Sequence, residues 1–295
     1  MASQRLSGRE LVCWRRSQLN DGGRAVDLDW LLDLAGGLRW TALQQLIIDP
    51  DRSVELEQSL AQLASLWQRH LADQVPLQYL IGRCPWRDFE LEVSPAALIP
   101  RQETELLVDF ALDACSGCAS GRWADLGTGS GALAVALARG LPDWDGHAVD
   151  CSAAALKLAD RNLRRLAPHG RWQLHCGHWW EPLRPWWGAF NVVVCNPPYI
   201  PAAVLEQLDP VVRNHEPQLA LHGGSDGLAS TRQILAMASQ ALASSGLLLV
   251  EHHHDQSDAV LNLMALEGLI DVSCRCDLQG VKRFASARRS EHICL

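Results

Sequence analysis

The sequence has 295 residues, of which 48% are hydrophobic and 20% charged, and its formal net charge is −8. This balance is typical of a globular protein with enough length for a core, and it excludes a disordered or fibrous chain. Lys157 and Lys282 are its only lysines, and all other basic side chains apart from histidine are arginines. Non-specific binding to nucleic acid depends on clustered cations, so the acidic balance disfavours it and favours a protein partner with basic patches.

The first ten residues are polar and lack the apolar run of an export signal, and no stretch reaches the roughly 20 apolar residues that span a bilayer. We therefore expect a cytoplasmic protein with no membrane partner. The ten cysteines are irregularly spaced, which predicts reduced thiols rather than a disulfide framework. Neither the pair Cys115 and Cys118 nor the pair Cys274 and Cys276 has a second pair at zinc-finger spacing, so we predict no metal.

The N-terminal part is predicted to be helical. Residues 6–19 and 27–34 read as short helices, and a longer amphipathic helix is predicted from Ser53, with Ser53 as its N-cap. Its apolar positions recur at steps of three and four: Leu56, Leu60, Leu63, Trp67 and Leu71. We expect a small helical domain over residues 1–75 that recognises the substrate.

The spacing of apolar residues then changes from that of a helix to that of a strand. Phe89, Leu91 and Val93 alternate with polar residues after turn material at residues 82–85, which predicts a β-hairpin linker within residues 76–97. From about Glu105 strands and helices alternate. The predicted strands are residues 123–126, 147–150, 172–176, 192–195 and 247–251, and the predicted helices are residues 132–139, 153–166, 228–242 and 257–266. Residues 98–295 are therefore expected to form an α/β domain with a parallel sheet covered on both faces.

A glycine-rich segment lies between the first strand and the first helix of this domain. Gly127, Gly129 and Gly131 alternate with Thr128 and Ser130, and glycine lets the backbone turn tightly and approach a ligand. The spacing differs from GxGxxG, and the segment lacks the Lys-Ser/Thr of a P-loop. A nucleoside ligand at the carboxyl ends of the strands is favoured over a phosphate cradle.

Two further features belong to the same predicted edge. Asp150 ends the next strand, where a carboxylate can accept hydrogen bonds from both ribose hydroxyls; the alternative is a solvated acid beside a plain turn. After the third strand come Trp179 and Trp180, where an indole can flank an adenine. The alternative is that these indoles close the core beside Trp186 and Trp187.

The segment Asn196-Pro197-Pro198-Tyr199 directly follows an apolar strand. The Asn196 side-chain oxygen can accept one N–H of a flat NH2 group, and the Pro197 carbonyl, held outside any helix or ladder, can accept the other. These acceptors orient the nitrogen and stabilise positive charge that develops on it, while the Tyr199 ring packs on the target group. We predict that Asn196, Pro197 and Tyr199 act in catalysis and that Pro198 helps to bind the substrate, without metal or covalent intermediate.

With these residues in place, the chain resembles the protein-(glutamine-N5) methyltransferase (PrmC/HemK) family over nearly its whole length. The motifs that carry the resemblance are residues 76–82, 98–105, 125–131, 196–200, 216–217 and 223–228. The resemblance implies a Rossmann-like class I methyltransferase with a seven-stranded, mostly parallel sheet behind a helical domain and a β-hairpin. It also implies methylation of the glutamine of the Gly-Gly-Gln loop in class 1 peptide-chain release factors, with S-adenosyl-L-methionine held by Gly127 to Gly131, Asp150, Trp179 and Asn196.

The chain departs from the family pattern at two places. His178 stands where members often carry an acid, and residues 251–256 replace a segment with glycine after the acid. We interpret His252 and His254 as part of a solvated strand end rather than a metal site.

Two other functions compete with this interpretation. A nucleic-acid adenine or guanine N-methyltransferase faces the same planar nitrogen, but it needs a basic channel. A non-catalytic binding module would not require the complete set of loop, acid and Asn-Pro-Pro-Tyr.

Overall fold

The computed structural model describes residues 3–291. Packing divides the chain into two compact units. The first comprises Met1–Arg83 with Pro210–His215, and the second comprises Cys84–Asp209 with Glu216–Leu295.

The first unit is mainly helical. Its core is a cluster of leucines around Trp67, which is fully buried. Short strands β1 and β2 pair in antiparallel fashion beside the helices. The elements are β1 (Gln4–Ser7), α1 (Gly8–Asn20), α2 (Ala25–Leu34), α3 (Trp40–Ile48), β2 (Ser53–Leu56), α4 (Leu60–Asp73) and α5 (Leu77–Ile81), with α10 (Pro210–His215) joining them.

The prediction of a helix beginning at Ser53 is wrong by about two turns. Ser53 begins strand β2, and helix α4 begins after Ser59, whose hydroxyl accepts the Gln62 N–H while the Gln62 side chain accepts the Ser59 N–H. This reciprocal cap satisfies two donors that a helix start otherwise leaves unpaired. The position of Leu56 matches the helical spacing of the apolar residues that follow it, although Leu56 belongs to strand β2 and is buried there.

The second unit starts within a hairpin of β3 (Arg83–Trp86) and β4 (Phe89–Glu92), of which only Arg83 belongs to the first unit, and then forms the sheet. In the sheet, the strands β5, β6, β7, β8 and β9 run parallel, and β11 is antiparallel to both β9 and β10. The spatial order of the seven strands is β10-β11-β9-β8-β5-β6-β7, which confirms the prediction of a seven-stranded, mostly parallel sheet. Their bounds are β5 (Arg122–Leu126), β6 (Asp145–Asp150), β7 (Arg171–Cys176), β8 (Phe190–Cys195), β9 (Leu242–Glu251), β10 (Ile270–Cys276) and β11 (Lys282–Arg288).

Helices cover both faces of this sheet. Alternate strand positions such as Ala124, Val193 and Leu248 share one core cluster with residues of α11 (Ala229–Ala241) and α12 (Ser257–Leu266). The intervening positions face the other side, because successive side chains of a strand alternate. That side packs on α6 (Glu105–Ala114), α7 (Ala132–Gly140) and α8 (Ala153–Leu166), and the short helix α9 (Ala202–Leu205) follows β8.

The strand order places two chemically informative segments side by side. The chain fills one side of β5 with β6 and β7, then crosses over to build β8 and β9 on the other side. The direction of winding therefore reverses between β5 and β8, and ligands of such sheets bind where it reverses, outside the carboxyl ends of the strands. Leu126 is the register partner of Cys195, so the residues after each of them begin at the same height.

Two further observations bear on the sequence-based expectations. Within residues 3–291 no helix is long and apolar enough to cross a membrane. The nine cysteines in that range are free thiols. Cys294 lies outside the described residues.

Candidate active site

A cavity of about 370 Å³ opens at the carboxyl ends of the parallel strands in the second unit. This volume lies within the range of roughly 300–1,000 Å³ found for small-molecule sites. Most of the predicted site residues line it: Gly127, Thr128, Gly129, Ser130, Asp150, Trp179, Asn196 and Pro198. Gly131, Pro197 and Tyr199 lie next to these residues in the chain without forming part of the cavity wall.

The glycine-rich loop has a conformation that other residues resist. Gly127, Gly129 and Gly131 have φ values of 81°, 56° and 84°. A Cβ on Gly131 would lie 3.1 Å from Ala159, and one on Gly127 would lie 3.2 Å from the Trp179 ring. The N–H groups of Gly127 and Thr128 both donate to the Val149 carbonyl at 2.9 Å, which folds the loop over the end of the next strand. Glycine is therefore required both by the turn and by close packing.

Asp150 fixes this loop from the neighbouring strand. Its two carboxylate oxygens accept the Gly129 N–H at 2.9 Å and the Ser152 N–H at 2.8 Å. Burial raises the pKa of Asp150. The predicted acid thus lines the cavity and also binds the loop, while each oxygen keeps acceptor capacity for a further donor.

A second acid lies beneath the loop. Asp125 is fully buried at the end of β5 and accepts a hydrogen bond from the Thr128 hydroxyl at 2.6 Å. Burial, with a smaller contribution from the nearby Asp150, raises the pKa of Asp125 to about 7. Thr128, predicted to bind the cofactor, therefore also serves as the partner of a buried carboxyl.

Trp179 and Trp180 lie in different surroundings, one at the cavity and the other in the core. Trp180 is 2% exposed and donates its indole N–H to the Ile234 carbonyl, so it belongs to the core. Trp179 adopts a φ of 48°, lines the cavity and donates to the Gln233 side chain at 2.9 Å. The exposed His178 also lines the cavity.

Asn196 stands directly beyond the end of β8. Its Nδ2 donates to the Thr104 hydroxyl oxygen at 3.1 Å, and no residue in the described range 3–291 donates to its Oδ1. Within the same range no backbone N–H is bonded to the Pro197 carbonyl. The Tyr199 hydroxyl donates to Glu251 at 3.4 Å, and burial and that acid raise the pKa of Tyr199. Two carbonyl oxygens of this segment thus keep their acceptor capacity.

The structure adds two residues that sequence reasoning did not select. Thr104 donates its hydroxyl to the Glu251 carboxylate at 2.7 Å, and Glu251 is 2% exposed at the end of β9. Burial raises the pKa of Glu251 to about 7. Thr104 lies in a segment that carries the family resemblance and Glu251 in one that departs from it, but only the fold brings residues 147 positions apart into contact.

The interpretation of His252 and His254 as part of a solvated strand end is wrong for His252. Strand β9 ends at Glu251, and both Glu251 and His252 are buried. His253 and His254 follow outside the strand, with the His253 Nδ1 within 2.6 Å of Asp255. Within residues 3–291 no group of three or more His, Cys, Asp or Glu side chains could hold a metal ion.

Comparison with known proteins identifies the family. Residues 102–207 match the model of the methyltransferase small domain. A release factor glutamine methyltransferase from Prochlorococcus marinus is 56% identical, covering 96% of this chain and 97% of that protein. The chain belongs to the release factor glutamine methyltransferase family.

Other members of the family also match. The Synechocystis release factor glutamine methyltransferase is 38% identical, covering 96% of this chain and 97% of that protein. A solved protein-(glutamine-N5) methyltransferase from Alicyclobacillus acidocaldarius is 30% identical, with a TM-score of 0.40, and covers 68% of this chain and 99% of that one. The fold is the class I methyltransferase fold, with its seven-stranded, mostly parallel sheet.

The buried Asp125 predicts an unusual pH dependence of stability. Its carboxyl has a pKa of about 7 in the folded protein against an ordinary 3.8, so between these values the native state holds a proton that the unfolded chain releases. The free energy of unfolding should therefore fall as pH rises from 4 to 7, with a contribution on the order of 4 kcal/mol from this group.

Asp125→Asn should make this profile shallower. Urea unfolding at pH 4, 5.5, 7 and 8 measures the effect, and the variant should gain stability relative to wild type toward high pH. Asp143→Asn, at an exposed position on the same domain, is the matched control and should run parallel to wild type. Parallel profiles for Asp125→Asn and wild type would contradict the assignment.

Proposed function

We propose that the protein transfers a methyl group from S-adenosyl-L-methionine to the side-chain amide nitrogen of the glutamine in the Gly-Gly-Gln loop of class 1 release factors. The observation that carries this proposal is the position of the Asn196 Oδ1 and the Pro197 carbonyl. Both acceptors are free of partners among the described residues, and they lie one strand away from the glycine-rich loop. The family to which the chain belongs supports the same reaction.

The cavity suits S-adenosylmethionine. A carboxylate at Asp150 can accept from ribose hydroxyls, and the Trp179 ring, packed over Gly127, offers an aromatic face to adenine. The uncharged walls near Ala97 and Leu133 suit the apolar parts of the ligand. The sulfonium of the bound cofactor supplies an activated methyl group, so the protein has only to bind and orient.

An amide nitrogen is a weak nucleophile because its lone pair is delocalised into the carbonyl. The Asn196 and Pro197 oxygens can each accept one N–H of the target amide and hold its nitrogen in line with the methyl group. As the nitrogen attacks, positive charge develops on it, and the two carbonyl dipoles stabilise that charge. Tyr199 follows them in the chain, and we propose that its ring packs on the flat target group.

A nucleic acid is the rival substrate, since an exocyclic amine presents the same planar nitrogen. The net charge of −8 disfavours it, because base flipping requires a strand to be held on a basic surface. The relatives that match over nearly their full length carry the release factor name, which supports a protein substrate instead.

We propose that residues 1–75 recognise the protein substrate and that residues 76–97 link them to the catalytic domain. Helix α3 of the first unit supports this role. Its side chains Trp40, Ile47 and Ile48 are 57%, 44% and 84% exposed. A helix that leaves a tryptophan and two isoleucines in water is typical of a surface that a protein partner covers.

The central test is methyl transfer with labelled cofactor. The purified protein should transfer one methyl group to a release factor with intact Gly-Gly-Gln, and none after that glutamine is changed to alanine. Asn196→Ala should lower turnover by at least about 100-fold, since it removes an acceptor aligned with the reacting nitrogen, while part of the cofactor affinity remains. Label in DNA or RNA, or wild-type turnover in Asn196→Ala, would refute the proposal.

The loop makes a separate prediction about cofactor affinity. Gly127→Ala places a Cβ 3.2 Å from Trp179 at a φ of 81°, so the ring has to move. We expect at least a tenfold loss in S-adenosylmethionine affinity by calorimetry, on the order of 1.4 kcal/mol. Gly280→Ala is the matched control, because its φ of 79° brings the same backbone strain while its Cβ meets open space. Equal affinities in the two variants would contradict the assigned cradle.

The exposed face of α3 makes a prediction about the protein substrate. Trp40→Ala should raise the KM for the release factor about tenfold, because truncating an aromatic interface anchor costs roughly 1–2 kcal/mol, and it should leave cofactor affinity unchanged. Leu278→Ala removes an apolar side chain that is 91% exposed on the catalytic domain and should leave the KM unchanged. An unaltered KM in Trp40→Ala would exclude α3 from the docking surface.

A further inference from the structure

The Asn196 amide has two ends of opposite polarity, and only one of them suits the proposed substrate. Its oxygen accepts an N–H from the target NH2, whereas its own NH2 would meet the target donor with a second donor. Reversing the amide would also place a positive dipole end against the charge that develops on nitrogen. The site therefore needs a contact that fixes the orientation of this amide. Asn196 lies beyond the end of a strand, where backbone pairing does not constrain its side chain.

Thr104 and Glu251 provide such a contact. The distances are 2.7 Å from the Thr104 Oγ1 to the Glu251 Oε2 and 3.1 Å from the Asn196 Nδ2 to the same Oγ1. A threonine hydroxyl has a single proton, and an ionised carboxylate can only accept. The Thr104 proton is consequently committed to Glu251, so its oxygen can only accept from Asn196.

We propose that Thr104 and Glu251 are positioning residues: the ionised Glu251 fixes the direction of the Thr104 hydroxyl, and this turns the Asn196 oxygen toward the target amide. This inference rests on the proposed function and adds the groups that set the polarity of its substrate site. Each acts on the target amide through Asn196; Thr104 also lines the cavity, whereas Glu251 does not.

Protonation of Glu251 removes the constraint on the directions of these hydrogen bonds. A neutral carboxyl can donate to the Thr104 oxygen, which frees the threonine proton to be donated to the Asn196 oxygen. The Asn196 amide then flips and presents its NH2 group to the substrate. Since the productive direction requires the ionised acid, turnover is lost as pH falls through the pKa of Glu251.

The surroundings of Glu251 put this transition near neutrality. Burial raises its pKa to about 7, and the Glu103 carboxylate before α6 raises it as well. The hydroxyls of Thr104 and Tyr199 and the charge of Arg283 on the adjacent strand β11 act in the opposite direction. The buried Cys195 thiol on β8 also lies within electrostatic range of Glu251, and burial raises the pKa of that thiol.

The variants separate positioning from folding. Thr104 precedes α6, but its side chain does not cap the helix, so Thr104→Val removes the hydroxyl without uncapping α6. We expect kcat for transfer to the release factor to fall by about 10- to 100-fold, the effect of a misoriented reacting group, with a much smaller effect on cofactor affinity, because valine keeps the shape of threonine at the cavity wall. Thr104→Ser restores the hydroxyl and should recover most of the turnover. Thermal unfolding of each variant checks that the fold is retained.

The pH profile gives the second readout. Wild-type kcat should rise between pH 6 and pH 8 with a midpoint near 7, the pKa of Glu251. Glu251→Gln can both accept and donate, so it populates both directions of the amide; its kcat should lie between those of wild type and Thr104→Val and show no such midpoint. Asp125→Asn, which removes the other buried acid with a pKa of about 7, should retain the midpoint.

The outcomes distinguish this inference from the proposed function. If wild type transfers no methyl group to the release factor, the proposed function fails. If wild type is active while Thr104→Val keeps full turnover, or Thr104→Ser fails to recover it, the positioning role is wrong. A midpoint that persists in Glu251→Gln likewise overturns the role of Glu251.

Discussion

The site depends on two strands that are neighbours in the sheet although about 70 residues separate them in the chain. Strands β5 and β8 pair in parallel, with Leu126 opposite Cys195. Each strand ends one residue before a segment with its own chemistry, the glycine-rich loop and Asn196. Because parallel pairing fixes the register of both strand ends, the distance between the two segments is set by the backbone ladder and not by flexible side chains. Every role assigned to Asn196 presupposes this register.

Carboxyl groups are buried directly below the edge of the sheet at which a ligand would bind. Asp125 at the end of β5 and Glu251 at the end of β9 are both almost inaccessible to water. Each receives a hydroxyl hydrogen bond, from Thr128 and Thr104 respectively, and burial raises both pKa values to about 7. A buried acid is costly for stability, and such groups concentrate at functional sites. Their placement at this edge is consistent with selection for function at the expense of stability.

Much of this arrangement was predictable from the sequence. Helices α8 and α12 were predicted with their observed bounds, because strong periodicity marks them. The last residues of the strands that end at Leu126, Asp150 and Cys195 were also predicted, although each strand begins one or two residues earlier than predicted. The antiparallel strands β10 and β11 were not predicted. Several of their alternate positions are polar, and β11 joins the sheet only by pairing with β9, with Phe284 opposite Glu251.

The failures have physical causes of the same kind. Ser53 and Ser59 are both plausible helix caps from composition, and only the pairing of β2 with β1 decides between them. The bond between Thr104 and Glu251 joins residues 147 positions apart, so no local pattern could reveal it. By contrast, Gly127 and Asn196 could be selected because each follows directly after a strand that the sequence itself identifies, and Asp150 because it ends such a strand.

The hydrogen bonds from Gly129 and Ser152 to Asp150 have a further consequence for ligand binding. They join the loop after β5 to the turn after β6 through protein groups alone. The cradle is consequently preorganised during folding, and little conformational entropy remains to be lost when the cofactor enters. Association should then be limited by diffusion into an open cleft and not by a rearrangement of the loop.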